Sequence, residues 1–257
     1  AMSQKTKFDR RLGDFIERAI NSIAGLELQD PAAEPHKTLA LSDLEQAKAI
    51  LTPAVDQAIV ENHDVYMASE ATRRAESLVE GVYEPFQLSL EQVRIIKTLK
   101  DANVGAEFAS EMAQVGASTA PSAFRALGID QTLSVGQASV AFAVPHLDPE
   151  NPHLNSLRDA LTTLQKARAK LDTEKGQATN AMRTLEQARD RARTFYAAAR
   201  DALRGGLRID GRPEPLRQFM SPLSSIYSTT TPNDNNTDAP PAPDQPSPLP
   251  TDPTSGT

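Results

Sequence analysis

The chain has no cysteine and no tryptophan in its 257 residues. Without thiols it can form no disulfide, no thiolate zinc site and no cysteine nucleophile. Aromatic residues make up only 5% of the sequence, which argues against a broad globular core built on large rings. No stretch approaches the ~18 uninterrupted apolar residues that a membrane-spanning helix needs. Basic residues are also short: 27 Lys and Arg face 34 Asp and Glu, for a net charge of −7. The general attraction of a cationic protein for nucleic acid or anionic lipid is therefore missing, and no nucleic-acid partner is expected. No Gly-x-Ser-x-Gly elbow, phosphate-binding Gly-Lys-Ser/Thr loop or dinucleotide glycine pattern is present, so the common enzyme signatures are absent. Ala1 before Met2 reads as a remnant of tag removal, and the charged stretch that follows is no secretion signal. Cytoplasmic location is the resulting expectation, with secretion left open.

Alanine and leucine at heptad spacing dominate what is there. Leu157, Leu164, Leu171, Ala178, Leu185, Ala192 and Ala199 recur every seven residues, which predicts a long helix packed lengthwise on another. Leu154, Leu157, Leu161, Leu164 and Leu171 form its first seam. The seam then passes to Ala181, Leu185, Ala188, Ala192, Phe195, Ala199 and Ala202. Residues 154–204 contain no proline and one glycine, Gly176. They read as one helix of about 75 Å, or as two arms turning at Gly176. The unbroken column favours one helix, ended by Gly205 and Gly206. Arg168, Lys175 and Arg189 fall at seam positions, where long stems can flank a seam with their heads in water or fix register and partner choice.

A first short helix is expected over 7–24, where Phe8, Leu12, Phe15, Ile16, Ala19, Ile20 and Ile23 gather on one face. Residues 29–38, with Pro31 and Pro35, read as a linker. Ser42 and Glu45 form a capping box that opens a helical arm within 39–116. Pro53 is expected to kink this arm or mark its first real turn, and Pro85 with Gly81 to break it, giving helices over 43–83 and 87–115. Residues 112–145 carry only Arg125 and Asp130 as charges among several glycines and prolines. Alternation at Leu133 and Val135, then Val140, Phe142 and Val144, suggests a loop or short hairpin. A Pro-rich linker follows to 153. Residues 205–221 read as extended, and 222–257, rich in Pro, Ser, Thr and Asp without a basic residue, as a disordered tail. The fold class expected is all-α: an elongated antiparallel bundle with a long coiled-coil-like helix.

Four groups could carry chemistry, and each has a plainer reading. His146, Asp148, Glu150 and His153 cluster metal-capable side chains, with the chain's one Glu-x-x-His; a solvated linker is the plainer account. Glu76, Glu80 and Glu84 stack three carboxylates at helical spacing, offset by Arg73 and Arg74, and Glu107 with Glu111 read the same way. His63 names no partner for acid–base work. The arginines from 183 to 217, with Phe195 and Tyr196 among them, suggest nucleic-acid contact, or cations paired with Glu186, Asp190 and Asp201 near a helix end. No cofactor is implied.

The leading expectation is a non-enzymatic structural or interaction protein that meets a protein partner or itself through the seam Leu154, Leu157, Leu161, Leu164, Leu171, Leu185, Ala192, Phe195 and Ala199. An alternative is a pore-forming or membrane-remodelling protein. A weakly charged 112–145 segment between two long arms resembles, in arrangement only, the head of α-helical pore-forming toxins. A metal-binding bundle is the third reading.

Overall fold

A computed structural model describes residues 4–212 and 216–228. Eight α-helices appear among them, and no strand: α1 Gln4–Ala24, α2 Glu34–Lys100, α3 Ala102–Gln114, α4 Pro121–Phe124, α5 Ile129–Ala143, α6 Pro152–Ile209, α7 Leu216–Phe219 and α8 Leu223–Ser228. The bundle is elongated and all-α. Its spine is α2 of 67 residues lying antiparallel to α6 of 58, about 100 Å and 87 Å long at 1.5 Å per residue.

The spine is held by complementary seams. Ala40, Leu44, Ala47, Leu51, Ala54 and Ala58 of α2 are buried at alternating four- and three-residue steps, as are Ala178, Ala181, Leu185, Ala188 and Ala192 of α6. At one end α1 lays Leu12, Ile16, Ala19 and Ile23 against both helices and completes a first core with Tyr196, Leu203 and Leu207. At the other end α3, α4 and α5 pack Phe108, Met112, Phe124 and Ala143 against Val79, Tyr83, Phe86, Leu90, Leu154, Leu157 and Leu164. Tyr83 stacks on Phe124 with ring centroids 3.7 Å apart. Between the two cores the molecule thins to a waist of two helices. There only Ala68, Thr72, Leu171, Ala178 and Ala181 are buried.

Helix α2 runs through both Pro53 and Pro85, so the break expected at Pro85 is absent. A mid-helix proline costs about 3 kcal/mol. Each is flanked by buried apolar residues, Leu51, Ala54 and Val55 around one and Tyr83, Phe86 and Leu90 around the other, and their burial outweighs that cost at ~1.5–3 kcal/mol per large side chain. The helix also starts earlier than expected. Pro35 sits in its first turn, where the missing N–H is harmless, so the linker shrinks and Ser42 and Glu45 lie inside the helix. It ends at Asp101, whose extended backbone and side-chain bond from Asn103 N (2.9 Å) cap α3. The turn is so tight that a Cβ on Gly105 would meet Thr98 Oγ1 at 2.1 Å.

The segment expected to be a loop or hairpin is helical. Thr132, Gly136, Ser139 and Ala143 form the buried stripe of α5, at helical spacing; being small and partly polar, they give no hydrophobic signal. Helix α6 is a single rod through Gly176 and continues past Gly205 and Gly206 to Ile209. A Cβ on Gly206 would lie 3.0 Å from His36 Cβ and 3.3 Å from Ala33 O, so this pair serves close packing rather than termination. The stretch expected to be extended contains α7, and the tail expected from 222 begins instead with α8; its remainder, from 229, lies outside the described residues.

The end of α6 is tied to the α1–α2 connection. Asp210 accepts from the backbone N–H groups of Gln29 (2.6 Å) and Asp30 (2.7 Å) and from Arg212 Nε (2.6 Å). Arg212 also donates to Glu27 O. Tyr196 donates to Ser221 O at 2.8 Å and fastens the chain beyond α7 onto α6.

Candidate interaction surface

Of the seam residues, Leu154, Leu157, Leu161, Leu164, Leu171, Leu185, Ala192 and Ala199 are buried. They pack inside this chain, so they are spent on its own core and offer nothing to another molecule. Phe195 is half-buried, and its neighbour Tyr196 takes the buried position. Phase, read from leucine and alanine alone, misplaced the aromatic by one residue.

The four metal-capable residues of 146–153 do not converge. Asp148 accepts from Glu150 N and shapes the turn. His153 occupies the first turn of α6, capped by Asn151 Oδ1. His146 packs edge-on against Phe108, with centroids 5.0 Å apart; burial, then the charge of Lys97, lowers its pKa. Among the carboxylates stacked on α2, Glu84 lies 3.6 Å from Arg125. Glu76 is raised in pKa by burial and then by Glu80. Arg73 does not offset this stack, because it pairs with Glu70 at 2.9 Å. Among the described residues, four of the nine arginines from 183 to 217 form salt bridges: Arg189 with Asp9, Arg193 with Asp190 (3.7 Å), Arg204 with Asp201 (2.8 Å) and Arg212 with Asp210. His63 is exposed.

Sequence reasoning missed the strongest charge pair. Arg189 donates to Asp9 through Nε (2.5 Å) and a terminal nitrogen (2.7 Å), a two-point contact between residues 180 apart in sequence. Asp9 is 1% exposed. Neither heptad phase nor spacing carries a signal for it.

What remains outside is more informative. Carrying the four- and three-residue steps of residues 40–58 on along α2, and moving back one position, gives a second stripe about 100° round the helix. Leu39, Val60, Met67, Leu78, Leu88 and Leu99 mark it. Each is at least half exposed, and Leu99 reaches 83%. Ile50 and Ile95 fall in the same register. Only Tyr66 and Ile96, of the large exposed apolar residues on α2, lie off it. The stripe runs beside α6 and forms with it an open groove of about 560 Å³, lined by Ile50, Pro53 and Gln57 and by Thr184, Ala188 and Arg191. Single exposed leucines are ordinary on protein surfaces; several in one register of a long helix, interspersed with Asp43, Gln46, Gln57, Asp64, Arg74 and Gln92, mark an interaction face.

At the waist this flank also carries charge. Carboxylate oxygens of Glu61, Asp64 and Glu174 lie within 4.8 Å of one another. None of the three has a salt bridge among the described residues. No described helix is long and apolar enough to cross a membrane. Comparison with protein-family models, with curated proteins and with solved structures finds no match.

Proposed function

We propose that the protein is a non-catalytic docking rod, a rigid two-helix spine that presents one long flank to a helical partner. The exposed heptad stripe on α2 carries this reading. Apolar side chains held at coiled-coil spacing outside a completed core are what helix-in-groove recognition uses. The partner face therefore moves from the α6 seam, which is buried, to the outer flank of α2.

The test is cross-linking with mass-spectrometric readout in the native source, comparing the full chain with a variant carrying Val60→Ser, Met67→Ser and Leu78→Ser. The expected outcome is intermolecular cross-links along α2 that the variant loses while keeping its helicity. Links that remain wholly intramolecular, or that are the same in both proteins, would refute the reading.

A membrane-contacting role is the second reading. Its support is the α2–α3 tip, where Ile95, Ile96, Leu99 and Val104 are exposed beside Lys97 and Lys100. The 112–145 segment lends it less, because Phe124 and Ala143 are buried in the second core and Leu133, Val135, Val140 and Phe142 are half-buried against it. Co-flotation with anionic vesicles, abolished by Leu99→Asp, is expected under this reading; no flotation at low ionic strength removes it.

A further inference from the structure

The outer stripe of α2 reads nearly the same from both ends. Measured from Ser69, Asp64 and Arg74 lie five residues to either side. Val60 and Leu78 lie nine away, Ile50 and Leu88 nineteen, and Leu39 and Leu99 thirty. The two helix prolines, Pro53 and Pro85, also fall opposite each other, sixteen residues out. Two such stripes laid antiparallel about Ser69 would match these apolar pairs, Met67 with Ala71 and each Asp64 with an Arg74, with Ile95 the exception, opposite Asp43. We infer that the partner of this flank is a second copy of the same chain, docked antiparallel by a two-fold axis at the waist. The inference rests on the docking-rod reading and names its occupant.

Three observations support this occupant independently of the symmetry. First, the carboxylates of Glu61, Asp64 and Glu174 are gathered without a cation, a repulsive arrangement that an arriving arginine relieves. Arg74 is exposed and has no hydrogen bond or ion pair among the described residues, although its neighbour Arg73 does. Second, the axis falls where the chain is thinnest, around Ala68 and Thr72. A second spine there converts a two-helix layer into four helices, the thickness at which helix packing closes a core. Third, Gly81 lies on this stripe with nothing within 4 Å of where its Cβ would stand. The chain's own packing gives no reason for a residue that costs a helix about 1 kcal/mol; close approach of another helix does.

A parallel dimer is disfavoured by the same residues, since it would set Asp64 against Asp64 and Arg74 against Arg74. Isologous pairing also closes on itself, so the assembly stops at two copies.

The full chain is tested by sedimentation equilibrium up to about 100 µM, the concentration being part of the result. A mass of twice 27.8 kDa is expected. Asp64→Arg and Arg74→Asp should each weaken the dimer by about tenfold or more, and the double swap should restore it. Because Asp64→Arg relieves the local carboxylate repulsion, lost association cannot be put down to a damaged monomer; circular dichroism checks this. With no native cysteine, a single dye is placed off the stripe, at Arg73→Cys or Lys100→Cys, and donor and acceptor copies are mixed. Strong energy transfer is expected at 73 and none at 100, where antiparallel sites stand about 90 Å apart.

A monomer at every concentration, strong transfer at both sites, or a double swap that fails to restore association would overturn the inference. If the protein is monomeric but cross-links to a different chain along α2, the docking-rod reading stands without it. If stripe variants also leave cross-linking unchanged, both fall.

Discussion

Replacing Asp9 with alanine would remove one side of a two-point ion pair that joins the first helix to the spine. The carboxylate is 1% exposed and both its oxygens are engaged by Arg189. Removing one partner of a buried pair costs about 3–5 kcal/mol because the other charge is stranded. Here the arginine side chain is 17% exposed, so its head can recover part of its hydration. The loss should fall to about 2–3 kcal/mol, or roughly 4–12 °C in melting temperature for a body of this size. Urea unfolding followed by helicity reads the global loss, and amide exchange along α1 shows whether that helix undocks first. The reasoning also predicts a contrast: Asp9→Leu combined with Arg189→Met, which removes both charges and keeps the volume, should stay within about 1 kcal/mol of the parent. A single alanine variant losing less than about 0.5 kcal/mol, or a double variant as weak as the single one, would show that the pair is not the tie described.

Leu185→Ala, at a fully buried position, should cost about 2–5 kcal/mol in chemical denaturation, and Phe195→Ala clearly less than its size implies, since that ring is half-buried. Asp210 has its pKa lowered, first by the N–H of Asp30 and also by Arg212 and the N–H of Gln29. Its contribution to stability is therefore present above the ordinary carboxylate range and lost as pH falls through its depressed folded value. Unfolding midpoints of the parent and Asp210→Asn should differ near neutral pH and converge in acid. Tyr196 is pushed up to about 12 by burial, so folding opposes its ionisation and loses stability as pH rises from about 10 toward that value. In tyrosinate absorbance of the folded protein, Tyr196→Phe should remove the latest-titrating component.

Sequence was a good guide wherever large apolar residues repeat. Leucines from 154 to 185 fixed the long helix and its continuity through Gly176, because a seven-residue column survives only on one uninterrupted helix. It misled where a local rule met a tertiary one. Pro85 breaks an isolated helix, yet Tyr83, Phe86 and Leu90 hold this one together. Helix α5 was hidden because its packing stripe is Thr132, Gly136, Ser139 and Ala143, which hydrophobic periodicity cannot see. The Asp9–Arg189 pair was out of reach in principle, being a contact across nearly the whole chain. The outer stripe of α2 was legible: the count applied to residues 154–199, repeated along 39–99, finds it. What sequence could not say was which of the two adjacent α2 seams is buried, and that decides which one is free to meet another molecule.

The alanine waist has a mechanical consequence. Two bulky cores are joined by a neck in which only Leu171, among the buried side chains, exceeds threonine in size. Small side chains interlock weakly, so the neck resists lengthwise slip of α2 along α6 less than either core does, as in shear between packed helices. Because both helices run unbroken through it, any axial shift imposed on one core must reappear at the other. The rod is thus a push-pull linkage some tens of ångströms long, and whatever clamps its neck sets whether its two ends move together or are held still.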